Sequence, residues 1–186
     1  MIPNEPVLYK NVITEDERVL LREHALNLLD NGVLHINKAT PGNYRNGKSY
    51  FSLDQMPDIH INLYNKVVNL LNLENPVIDP ALGNIVSVIK PGGHIQPHRD
   101  KYVDAAQVFR RPELLQFAHK RNVRFNVMVD RGDDLSYNPV INNKTFIVNK
   151  CEAWCFGASE IPHRTEKIAG PENRIVYQFG FCLDAI

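Results

Sequence analysis

From Gly83 onward the chain is cut into short apolar runs separated by turn-forming residues, and this pattern restricts the second half to a β-rich core. The runs at 83–90, 94–99, 122–129, 144–149, 152–156, 162–167 and 173–183 read as strands. Successive antiparallel strands close most simply as two facing sheets, a jelly roll whose interior can house a ligand. Ahead of them, Thr14-Glu15-Asp16-Glu17 has the form of a capping box. Leu20, Leu21, Ala25, Leu28 and Leu29 then recur at helical spacing up to the terminator Gly32. A second helix is expected from near Asp58, with Ile59, Leu63, Val67, Leu70 and Leu71 along one side and Pro76 and Pro80 closing it off. Helices first and strands after predict an α+β domain, helical over 1–80, with a jelly-roll (cupin-like) core over 83–183 and the helices packed outside it. With 186 residues and 44% hydrophobic content, the chain is expected to form one domain.

Charge and cysteine content narrow the function classes. Twenty-one basic residues balance 21 acidic ones, so no overall field favours nucleic acid, and such a partner is not expected. No apolar run reaches the length of a membrane span, and MIPNEPVLYK lacks a signal peptide's pattern, so the expected location is cytoplasmic. Cys151, Cys155 and Cys182 are an odd number among apolar neighbours, which fits reduced thiols. No second ligand pair has zinc-finger spacing. Nor does Asp130-Arg131-Gly132-Asp133-Asp134 have the alternation of a calcium loop, and it reads as a turn.

The stretch Lys90-Pro91-Gly92-Gly93-His94-Ile95-Gln96-Pro97-His98-Arg99-Asp100 concentrates metal-ligand residue types behind a Pro-Gly-Gly turn. Side chains two apart on an extended segment point the same way, so His98 and Asp100 can reach one cation. His163 is the best-placed third ligand. Two histidines and one carboxylate on one face of a metal leave its other positions open, as in non-haem Fe(II) oxygenases. Arg174 opens the last apolar run, and its planar fork suits the far carboxylate of a dicarboxylate co-substrate. By strand parity Val176 and Gln178 then face inward with Arg174, which makes Gln178 a further co-substrate contact, while Tyr177, Phe179 and Phe181 face the helices. His94 shares parity with His98, so it is expected in the same interior, either contacting substrate or ligands or as a structural residue.

The order HxD, His, Arg resembles the Fe(II)- and 2-oxoglutarate-dependent oxygenases. Pro91-Gly92-Gly93-His94-Ile95-Gln96-Pro97-His98 is similar to the PGxHxxPH segment of the aspartyl/asparaginyl β-hydroxylase family. The resemblance covers roughly residues 83 to 183. It implies a double-stranded β-helix, iron held by His98 and His163 with Asp100 as the carboxylate found in most of the superfamily, and 2-oxoglutarate bound by Arg174. The family's RxRxH strand is matched in part by Asn122-Val123-Arg124-Phe125-Asn126, which makes Arg124 and Asn126 co-substrate contacts, although asparagines replace the first arginine and the histidine.

The expected function is therefore a dioxygenase that uses Fe(II), 2-oxoglutarate and O2 to hydroxylate a C–H bond of an amino-acid side chain, in a small molecule or in a peptide or protein. Two alternatives stay open: a non-catalytic jelly-roll binding module, and a metal hydrolase or isomerase on the same barrel. Further readings are also open. Residues 101–121, with a short helix from Pro112, form either a lid over the site or a surface excursion. Tyr44, Arg45 and Tyr50, among the turn-forming segments Thr40-Pro41-Gly42-Asn43 and Arg45-Asn46-Gly47-Lys48, belong to a connector or line a substrate mouth. Trp154 and Phe156 pack core, with Trp154 as a pocket wall the alternative. His24 is read as a surface or boundary residue.

Overall fold

The computed structural model describes residues 5–36 and 44–184. The strands in chain order are β1 (Val7–Tyr9), β2 (His35–Ile36), β3 (Asn46–Tyr50), β4 (Val77–Ile78), β5 (Asn84–Ile89) and β6 (Ile95–His98), then β7 (Lys120–Asp130), β8 (Pro139–Ile141), β9 (Lys144–Thr145), β10 (Ala153–Gly157), β11 (His163–Thr165) and β12 (Arg174–Asp184). Three α-helices, α1 (Glu15–Asp30), α2 (Asp58–Leu71) and α3 (Tyr102–Val108), accompany them among the described residues. The larger sheet runs β1-β10-β7-β12-β5-β3-β2 with β4 also on β12, and the smaller runs β6-β11-β8-β9. Every recorded pairing is antiparallel.

The larger sheet is apolar on one face and chemically mixed on the other. Val123, Phe125 and Val127 of β7 and Tyr177, Phe179 and Phe181 of β12 join one core with Leu21 and Ala25 of α1 and Leu63 and Val67 of α2. The helices therefore cover the outer face, as the strand parity predicts. Thr14 and Glu17 form the expected capping box at the start of α1. Asn72, left-handed at φ 49°, caps α2 well before Pro76. On α2 the buried row includes His60 and Tyr64, whereas Leu70 is exposed. On the inner face Met128, Trp154, Phe156 and Val176 pack against Ile141 of the smaller sheet.

Four expectations change. Residues 1–80 are not purely helical, because β1, β2, β3 and β4 lie there and pair into the larger sheet. Arg45-Asn46-Gly47-Lys48 is not a turn: Asn46 begins β3, whose hydrogen bonds to β5 outweigh the local turn preference of Asn-Gly. The run at 144–149 contributes only β9, which forms a hairpin with β8. Its two-residue turn is Asn142-Asn143 at φ 50° and 61°, the left-handed pair such a hairpin requires. His94 is not directed with His98, because the β6–β11 register shifts between His163/Thr165, and that irregularity reverses parity along β6. Its ring lies against Tyr44 instead, with centroids 4.8 Å apart. The segment Thr40-Pro41-Gly42-Asn43 lies outside the described residues.

The stretch 101–121 holds α3 and a 3-10 turn at Pro112–Phe117. Tyr102, Ala106 and Leu114 pack with Ala81 and Cys182 in a small core of their own. All three cysteines are free thiols. No helix among the described residues is long and apolar enough to cross a membrane.

Candidate metal centre

His98 ends β6 and His163 opens β11, and the pairing of these strands sets the two directly opposite each other. Their ring centroids are 4.2 Å apart. Asp100 follows two residues after His98, its backbone tied to the Ala158 carbonyl at 2.9 Å. One ligand atom from each of His98, Asp100 and His163 lies within 4.8 Å of the others. Asp100 Oδ1 is 3.3 Å from His98 Nε2 and 3.9 Å from His163 Nε2.

The backbone fixes which imidazole nitrogen is free. His98 Nδ1 bonds the Gln96 carbonyl at 2.8 Å and His163 Nδ1 the Ile161 carbonyl at 3.0 Å. A carbonyl only accepts, so each Nδ1 carries a hydrogen and Nε2 is the nitrogen each ring turns toward Asp100. Such outer bonds orient histidine ligands in metal sites. Phe156 closes one side of His163, with centroids 4.9 Å apart. Burial lowers His163 to about 4, despite the pull of Asp100, and keeps that ring neutral. His98 goes the other way: burial works against its protonation, but the Asp100 carboxylate beside it raises its pKa.

Asp100 is held from behind. Its side chain is only 5% exposed. Burial alone would raise its pKa, yet His98, Arg124 and His163 together hold it far below the ordinary carboxylate range. Arg124, on the inner row of β7, donates to Asp100 Oδ2 from Nε at 3.0 Å, to the Gly83 carbonyl from Nη1 at 2.7 Å and to Asp79 from Nη2. The Arg124 guanidinium is thus engaged by two carboxylates and a carbonyl, which makes it a brace for Asp100. Sequence separation concealed Asp79 and this ion pair.

Arg174 is 2% exposed and lines the same cavity as His98, Asp100 and His163. Its Nε donates to the Tyr137 carbonyl at 2.7 Å, and its guanidinium carbon lies 5.7 Å from the Trp154 ring centre. No carboxylate pairs with it among the described residues. Burial, with the charges of Arg45 and Arg131, lowers it to about 9. A buried cation without a counter-ion is costly, and an anion in the cavity offsets that cost. Trp154 lines this cavity and also packs in the inner-face core.

The other floor residues form a directed chain. Arg45 Nη1 donates to Gln178 Oε1 at 2.9 Å, Gln178 Nε2 to Asn126 Oδ1 at 3.0 Å, and Asn126 Nδ2 to the Trp154 carbonyl at 3.4 Å. The arginine can only donate, so it sets the orientation of both amides. Gln178 and Asn126 thus reach the cavity as an ordered amide pair. Burial, with the charge of Arg124, lowers Arg45 to about 10.

No protein-family model matches the sequence, and no curated protein matches it. Solved structures share the fold. A Pseudomonas putida prolyl-4-hydroxylase superposes with a TM-score of 0.65 at 12% identity, over 97% of this chain and 93% of that one. A Trichoplax adhaerens prolyl hydroxylase, in complex with a hypoxia inducible factor oxygen degradation domain peptide fragment, gives 0.69 at 13%, over 97% and 84%. HygX from Streptomyces hygroscopicus, with nickel and 2-oxoglutarate bound, gives 0.63 at 8%, over 96% and 82%. At these identities the likeness establishes a common fold.

Proposed function

We propose that this chain is an Fe(II)- and 2-oxoglutarate-dependent dioxygenase that hydroxylates a C–H bond, of an amino-acid side chain free or in a polypeptide. One observation carries the reading. Two backbone-oriented Nε2 atoms and a braced carboxylate oxygen converge beside a buried arginine that has no carboxylate partner among the described residues. Two imidazoles and one carboxylate are the donor set of non-haem iron oxygenases. The 2-oxoglutarate bound in a structure of the same fold supports the co-substrate. The peptide held by another supports a peptide or small-molecule substrate. In this reading residues 1–186 form a single, cytoplasmic oxygenase domain with a double-stranded β-helix, and the PGGHIQPH segment aligns it with the aspartyl/asparaginyl β-hydroxylases.

The roles of the side chains follow from their geometry. His98, Asp100 and His163 would hold Fe(II), and Arg124 keeps the Asp100 oxygen in place. Arg174 would pair with the far carboxylate of 2-oxoglutarate, while Asn126 and Gln178 offer amide contacts along its length. Trp154 and Phe156 are the aromatic walls of a cavity otherwise lined largely by polar side chains. Bound there, Fe(II) with 2-oxoglutarate and O2 supplies oxidation of an unactivated C–H bond, with the co-substrate converted to succinate and carbon dioxide.

Succinate release from the Fe(II)-loaded protein tests this directly. The reading expects release that depends on 2-oxoglutarate and is abolished by His98→Ala or Asp100→Ala. Equal release by these variants and the parent protein would overturn it.

A further inference from the structure

A second cavity of about 220 Å³ opens beside the metal centre and shares Arg45, Leu82, His98 and Asp100 with the first. Its far wall is α3 and the residues after it, including Ala105, Val108 and Phe109, and Asn122 also lines it. Asn122 is 1% exposed, yet neither its side-chain oxygen nor its nitrogen has a hydrogen-bond partner. An orphaned buried amide is costly, so a ligand that satisfies it is favoured. Arg45 commits Nη1 to Gln178, and no carboxylate pairs with it among the described residues. Arg99 and Lys101 at the mouth add positive charge, against one free carboxylate there, Asp104, since Asp100 is already braced by Arg124.

We propose that this second cavity binds the substrate and selects an acylated amino acid with a free carboxylate, either alone or as the C-terminal residue of a peptide. The carboxylate pairs with Arg45, the adjoining amide satisfies Asn122, and an aliphatic side chain rests on Ala105, Val108 and Phe109 beside the metal ligands. This rests on the reading of the first cavity as the co-substrate site. One row of β7 then serves both ligands: Asn122 meets substrate, Arg124 braces Asp100, and Asn126 reaches toward co-substrate.

Calorimetry on protein loaded with Mn(II) and 2-oxoglutarate tests the proposal, using N-acetyl-L-leucine, its amide N-acetyl-L-leucinamide, and the tripeptide Gly-Gly-Leu as probes. N-acetyl-L-leucine or the tripeptide is expected to bind at least tenfold tighter than the amide, and the better of the two identifies the source. Arg45→Gln should abolish that preference. Asn122→Leu should weaken the preferred probe at least fivefold while leaving the melting temperature unchanged or higher, because it removes an unsatisfied buried amide. If 2-oxoglutarate binds but no probe does, or the carboxylate and amide probes bind equally, the substrate proposal falls alone. The Arg45→Gln measurement is made at saturating 2-oxoglutarate, because Arg45 also orients the Gln178 and Asn126 amides. Failure of 2-oxoglutarate to bind at all would instead strike the underlying functional reading.

Discussion

Arg124 donates from Nε to Asp100 Oδ2 at 3.0 Å, while Oδ1 of the same carboxylate lies 3.3 Å from His98 Nε2. The two oxygens of one side chain thus have separate tasks. One is anchored to the sheet, and the other faces the imidazoles. Asp79, itself fully buried, completes the anchor by pairing with the same guanidinium.

Removing the anchor should loosen the metal site and weaken the fold together. Arg124→Gln is expected to lower metal affinity about 10- to 100-fold, the usual effect of losing a ligand's outer partner. Because it also strands a buried carboxylate, it should cost about 3–5 kcal/mol of stability. Gly180 offers a second route, since it pairs with Arg124 across β12 and a Cβ there would collide with the guanidinium and with Asp79. Gly180→Ala should therefore reproduce the loss of metal affinity without changing any charge. Metal titration against a competing chelator, with denaturant melts alongside, measures both effects.

Arg174 is expected to act on co-substrate alone. Arg174→Gln removes a charge-assisted contact worth about 1.5–3 kcal/mol, so 2-oxoglutarate should bind roughly 10- to 100-fold more weakly. Metal affinity should stay within about twofold, because the ligand bonds of His98 and His163 run to Gln96 and Ile161 and not to this residue. Unchanged 2-oxoglutarate affinity would remove Arg174 from the site.

His60 should make stability depend on pH. Both its ring nitrogens are buried without partners, among Tyr50, Tyr177 and Phe179, with His24 the nearby cationic influence. Burial lowers it to about 3 from 6.5. Between those values the unfolded chain binds a proton that the folded chain refuses. The stability His60 contributes is therefore complete above pH 6.5 and falls as pH drops toward 3, by up to about 1.4 kcal/mol per pH unit. His163 and His24 are lowered as well and add to the slope. His60→Leu should reduce it by about one proton's worth, read from denaturant melts between pH 5 and 6.5.

The 101–121 stretch is anchored through Leu114, which is fully buried. Leu114→Ala is expected to cost about 2–5 kcal/mol, which a surface excursion without a core would not show. Melts of the variant and amide exchange over α3 check this.

How far the sequence revealed the site depends on how local each signal is. His98 and Asp100 stand two apart, and Arg174 opens a run whose parity holds through Tyr177, Phe179 and Phe181, so these were legible from spacing and alternation. His94 departs from that alternation because the register of β6 is irregular, which one strand's sequence does not show. Arg45 was obscured by the turn chemistry of Asn46-Gly47, which pairing with β5 overrides. The Arg124–Asp79 brace joins residues 45 positions apart, and no local pattern marks such a contact. Asn122 and Asn126 stood out only as departures from a resemblance. The structure gives both a place, one at each cavity.

The central claim is that His98, Asp100 and His163 form a metal centre that, with Arg174, creates a site for 2-oxoglutarate. Oxygen-free calorimetry of 2-oxoglutarate binding, with and without Fe(II), tests it most directly. The account predicts binding that needs the metal and disappears in His163→Ala. Equal binding without metal, or undiminished binding in that variant, would contradict it.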